Sequence, residues 1–176
     1  MKGIRWIPIV ALVLAPLALA QQEGAASFFK QAAEINVAEQ EMAELAQERA
    51  AGDAVKKYAE RMIEEHEQAN EKLQSLAEKR DVELPDEPGA RHKQQAQRLS
   101  KLEGKAFDQA YMESQVQAHQ EAIKMFEQQA KTAQDPDAQR YAQQMLPALR
   151  AHLKHAQQLQ KQAAGPGRMR EQSRQR

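Results

Sequence analysis

Cysteine is absent from this 176-residue chain. That excludes disulfides, thiolate metal ligands and lipid attachment at a processed N-terminal cysteine. Aromatic residues make up only 5% of it, so strand signals are few. Net charge is lacking too: 25 Lys and Arg balance 25 Asp and Glu, leaving no global field to draw nucleic acid or an acidic partner. There is no glycine-rich phosphate loop, no nucleophile elbow and no Ser/His/Asp arrangement. None of these motifs therefore nominates a catalytic residue; the one acid–base arrangement the sequence offers is Glu39 with His66, His119 and His152.

What the chain has is length enough for one domain, 28% charged residues and abundant alanine and glutamine, a composition suited to long helices. Residues 1–20 read as a cleaved targeting segment. Lys2 and Arg5 supply the positive start, Ile7 to Leu19 an apolar run, and Ala18-Leu19-Ala20 a small-x-small cleavage site. The run is short for a membrane span and is interrupted by Pro8 and Pro16. Cleavage before Gln21 would export the protein, to the periplasm in a Gram-negative cell. No later apolar run is long enough to span a membrane. Residues 21–26 read as a flexible N-terminus.

Four stretches then repeat steps of three and four that keep apolar residues on one helix face. The first runs Phe28, Ala32, Ile35, Glu39, Met42, Ala46, with Ser27 as the expected N-cap. The second runs Val55, Ala59, Met62, His66, Ala69, Leu73, Leu76, with Asp53 placed to cap it. The third runs Met112, Val116, His119, Ile123, Phe126, Ala130. The fourth runs Ala138, Ala142, Met145, Leu149, His152, Ala156, Leu159. Asp135-Pro136-Asp137 marks the start of the fourth helix, and Pro147 is expected to kink it. Between the second and third helices, Pro85, Pro88 and Gly89 make a loop. The polar stretch Ala90–Glu103 is a short helix in a long crossover. Residues 164–176, rich in arginine, read as a disordered basic tail.

Each apolar seam is interrupted once, by Glu39, His66, His119 or His152. Antiparallel neighbours joined by a short loop meet at equal distances from that loop. Glu39 and His66 lie about 13 and 14 residues from Gly52, and His119 and His152 about 16 and 17 from Asp135, a match to within ~1.5 Å in each pair. With the first and third loops at one end, all four side chains share a level within about one helical turn. Neutral imidazoles and one carboxylate suit one divalent transition metal such as zinc, iron, copper or manganese. The alternative is a non-catalytic structural or interaction protein, in which the His/Glu cluster is a buried hydrogen-bonded core feature that locks register. The metal ion, and envelope proteins, are the partners these readings call for. His155 lies off the seam, and His92 sits in the polar connection.

The chain resembles an exported bacterial ferritin-like family known as domain of unknown function 4142. The resemblance rests on Phe28–Ala46 with Ala38-Glu39, Tyr58–Leu76 with Met62 to His66 and Ala69-Asn70, Gly104–His119 with Phe107-Asp108 and Tyr111, and Leu146-Pro147 to Ala156 with His152. It implies an all-α, ferritin-like antiparallel four-helix bundle over residues 27–163, in the periplasm or cell envelope, and implies little about activity. Di-iron ferritins place a glutamate three residues before a histidine on two helices. Here Ile63, Val116 and Leu149 hold those positions, which makes a di-iron centre unlikely.

Overall fold

The computed structural model describes residues 15–164, with five helices and no strand among them: α1 (Ala15–Arg49), α2 (Asp53–Glu78), α3 (Ala90–Leu99), α4 (Gly104–Thr132) and α5 (Pro136–Ala163). Most of the expected targeting segment and nearly all of the basic tail lie outside the described residues. Helix α1 begins twelve residues before Ser27, so Ser27 caps nothing and residues 21–26 are helical rather than flexible. The Ser27 hydroxyl instead accepts from Gln31 Nε2 at 3.1 Å. The physical reason is composition: Ala, Leu, Gln and Glu dominate residues 15–26, all good helix formers, with one exposed glycine, Gly24, to weaken them.

The four long helices pack as two hairpins, α1 with α2 and α4 with α5, joined by α1 against α4 and α2 against α5. The ends show the direction of each rod. Ala50, just past α1, bridges to Gly104 at the start of α4, and Arg80, just past α2, reaches Asp135 and Asp137 at the start of α5. The α1–α2 turn and the α4–α5 turn are therefore at opposite ends, and α2 and α4 run in the same direction. The sequence expectation had put those two turns together. Residues 79–103 consequently travel the length of the assembly, carrying α3 on the way. Helix α5 runs unbroken through Pro147, which faces solvent.

Capping differs between the two turns. Asp135 caps α5 as its sequence predicts, accepting from Asp137 N at 2.9 Å and Ala138 N at 2.8 Å. Asp53 does not cap α2; it is the first helical residue, after Gly52. The turn's donors go to a residue distant in sequence, since Ala51 N and Gly52 N each donate to Asp108 of α4 at 3.0 Å. Gly52 permits this close approach: a Cβ there would sit 3.2 Å from Asp108 Oδ2. Asp108 is 7% exposed, and Asp108→Ala removes the acceptor of two backbone donors at a part-buried turn. A loss of about 2 kcal/mol is expected, against about half of that for Asp108→Asn, which keeps one acceptor. Urea melts of the two variants check the ranking.

The apolar core comes in two parts. One holds Met42, Tyr58, Met62, Phe107, Tyr111, Met112 and Leu159. The other holds Phe28, Phe29, Leu73, Phe126, Tyr141 and Leu149. Along every long helix a buried polar residue falls where one part gives way to the other: Asn36 and Glu39 on α1, His66 on α2, Gln115 and His119 on α4, His152 on α5. A polar layer thus crosses the middle of the molecule.

Candidate metal centre

Three of the four seam interruptions meet. One ring nitrogen from each of His66, His119 and His152 lies within 4.8 Å of the others, and all three residues are buried. Their ring centroids are 5.2 to 6.0 Å apart. The rings come from α2, α4 and α5, each near its helix midpoint.

The outer nitrogen of every ring faces an acceptor. His119 Nδ1 is 3.0 Å from the carbonyl of Gln115. His66 Nδ1 is 3.0 Å from Asn36 Oδ1. His152 Nε2 is 2.6 Å from Glu65 Oε2. A carbonyl, an amide oxygen and a carboxylate only accept, so each imidazole donates its proton outward. That leaves His66 Nε2, His119 Nε2 and His152 Nδ1 as bare lone pairs. His119 Nε2 and His152 Nδ1 stand 3.3 Å apart, and His66 Nε2 is buried with no hydrogen-bond partner. Lone pairs at such a distance repel unless a cation lies between them. Two nitrogens on a tetrahedral zinc, each ~2.0–2.1 Å from it, are about 3.3–3.4 Å apart. The pair already has that spacing, and the third nitrogen must draw in by up to about 1.4 Å.

A proton is a poor occupant. Burial, then the neighbouring His119 and His152, hold the His66 imidazole well below its ordinary range. Burial and then His119 bring His152 down to about 4 despite the pull of Glu65. Glu65 itself is held below the usual carboxylate range: partial burial opposes this, and hydrogen bonds from Arg61 and His152 outweigh it. Neutral rings with outward protons are the form that binds a metal.

Glu39 is not in this group. Its carboxylate is buried on the other side of Gln115, accepting from Gln115 Nε2 at 2.6 Å, while Gln115 Oε1 accepts from the Tyr58 hydroxyl at 2.9 Å. Gln115 thus touches Glu39 with its side chain and His119 with its backbone. The residue α1 does contribute is Asn36, one turn earlier. Asn36, Gln115 and Glu65 went unremarked in the sequence. Asn36 and Gln115 carried a signal, as buried polar residues flanking the seams, whereas Glu65 looks like one more charge on a solvated face. His155 packs on the Tyr58 ring, 5.3 Å between centroids, and His92 lines a separate cleft with Glu34 and Glu121.

The family model described as "Domain of unknown function (DUF4142)" matches residues 14–159. The chain belongs to this family. Every residue of the imidazole layer falls inside the DUF4142 match. Among solved structures, the crystal structure of a DUF305 fragment from Deinococcus radiodurans is similar, with a TM-score of 0.70, 13% identity, and 78% of this chain and 95% of that one covered. At that identity the likeness concerns the helical fold alone. No curated protein matches the chain. The DUF4142 chain described here thus has an all-helical fold and three buried histidines able to surround one ion. No helix among its described residues is long and apolar enough to cross a membrane.

Proposed function

We propose that this DUF4142 chain is a ferritin-like four-helix bundle, exported to the periplasm, that holds one divalent transition metal through His66, His119 and His152. The observation that carries this reading is the orientation of the three imidazoles: each turns one ring nitrogen to an outer acceptor oxygen, and one nitrogen of each lies within 4.8 Å of the others among buried residues. The role that follows is metal handling in the envelope or tolerance of envelope stress. Glu39 supports the centre through Gln115 and His119 rather than by ligation. Outer acceptors of this kind fix ring orientation and raise ligand basicity, which is how a protein pre-organises a metal site.

The test is direct. The purified protein is stripped with chelator, and zinc, copper, iron or manganese is added in separate samples. One equivalent retained through gel filtration, with a raised Tm, supports the reading. No retained metal and an unchanged Tm for all four ions rejects it.

One observation favours a second reading, a structural or interaction protein with a polar core. Glu65, His152, His119 and Gln115 form a connected chain of contacts that joins three helices without any ion. In that case the metal-free protein is the working form, and replacing the histidines by Leu or Met keeps or raises stability.

A further inference from the structure

A cleft of about 270 Å³ opens between α2 and α5, lined by Asn36, His66, Phe126, Tyr141, Leu149 and His152, with Glu65, Lys72 and Ala148 also on its walls. Two of the three imidazoles line it. His119 does not. The cleft therefore meets the imidazole layer on its His66–His152 side, and that is the side from which a bound ion can be approached. A zinc-like ion bound by three protein nitrogens has a fourth position to fill, and sites that keep it open take water or an exogenous ligand there.

Charge selects the ligand. Three neutral imidazoles leave the full double positive charge on the metal. The Glu65 carboxylate, bonded to the far side of His152, is itself paired with Arg61, and Glu39 is turned away toward Gln115. Besides Glu65, the cleft walls carry one carboxylate, Glu64, and one ammonium, Lys72, beside Phe126, Ala148 and Leu149, so the positive charge of the metal stays uncompensated at the end of the cleft. A buried charge in apolar surroundings is costly unless paired.

Resting on the three-histidine reading above, we infer that the metal keeps one open coordination position facing the α2–α5 cleft, and that this position takes a small anion. Hydroxide, from ionised water, is its smallest member. Larger anions are limited by the volume of the cleft.

The test uses cobalt(II) in place of the native ion, because its visible spectrum reports coordination, and azide as the probe. The full chain is loaded with cobalt, freed of excess metal by gel filtration, and titrated with azide. The expected result is a saturable change in the cobalt bands with the metal still on the protein. Ala148→Trp, a half-buried position on the cleft wall, is expected to retain cobalt and weaken azide binding at least tenfold. Cobalt that loads but ignores azide overturns the open position and leaves the three-histidine site standing. Equal azide binding by the wild type and Ala148→Trp overturns the assignment to this cleft. Failure to load cobalt removes both readings together.

Discussion

Replacing His119 with alanine is expected to abolish the response of the protein to zinc. At a free zinc concentration 100 times its Kd, the wild type gains about 2.7 kcal/mol from a single site absent in the unfolded chain. For a domain of this size that is a rise in Tm of roughly 5–10 °C. His119 is 1% exposed, and the two histidines outside the layer pack elsewhere, His155 on Tyr58 and His92 in a separate cleft. Losing an outer partner of a ligand costs about 10–100-fold in metal affinity, so losing the ligand itself costs more. The series then has a definite order. His66→Ala, His119→Ala and His152→Ala lose the zinc response, Glu65→Ala keeps a response weakened by at least about tenfold, and Glu39→Gln stays within about threefold of wild type. Thermal melts with and without zinc measure all five. An undiminished shift in any histidine variant puts the ligands elsewhere, and a collapse in Glu39→Gln restores the carboxylate as a ligand. His119→Leu fills the space without a donor or acceptor, and it separates lost ligation from lost packing.

The metal-free protein is expected to lose stability steeply between pH 6.5 and about 4. The groups responsible are His66 and His152. The His152 imidazole is brought from 6.5 to about 4, and His66 is displaced in the same direction. The groups facing His152 are His66, Glu65 and Arg61 from α2 and His119 from α4. Below pH 6.5 the unfolded chain takes up protons on these histidines while the folded chain does not. Stability therefore falls with falling pH, starting at the unfolded value and levelling, for His152, where the folded ring also protonates. At about 1.4 kcal/mol per unit, His152 alone accounts for roughly 3 kcal/mol across that window. Glu65 contributes lower down, because its carboxyl is held below the ordinary range and its bond to His152 is lost only as it protonates. Urea unfolding at half-unit steps from pH 7.5 to 4 measures the slope. His152→Leu should make it shallower, leaving the part due to His66, and a wild-type curve flat between pH 6.5 and 4 would show that the rings are charged in the folded state. Bound zinc should raise stability across the window and carry the fall to lower pH, since the folded rings take up no proton while they hold the metal.

The histidines were legible in the sequence because each is a polar break in an apolar seam near the middle of its helix. A mid-helix residue arrives at mid-height whichever end the loops occupy. The meeting of His66, His119 and His152 thus survived a wrong assumption about the turns, which lie at opposite ends. Glu39 did not have that protection. Counting from Gly52 treated the turn as a point, whereas α1 ends at Arg49 and α2 begins at Asp53. Asn36 is thirteen residues before Arg49, and His66 is thirteen after Asp53. Asn36 is therefore the level partner, and Glu39 lies about 4.5 Å further along the axis. The centre of the α1 seam was also misjudged by one residue, since Asn36 is buried and Ile35 only half so. The early start of α1 was hidden because a targeting segment and a helix share the same apolar, alanine-rich composition. Asp108 as the donor-satisfying group of the α1–α2 turn was not legible at all, because 56 residues separate it from Gly52.

The full-length crossover divides the polypeptide into an N-terminal and a C-terminal fragment around Pro85–Gly89. The first fragment carries one imidazole and its amide partner, and the second carries two imidazoles. On the three-histidine reading, a single proteolytic nick in that connector would yield pieces that share one ion as well as the apolar core, so split-chain complementation in this protein is expected to strengthen on titration with zinc.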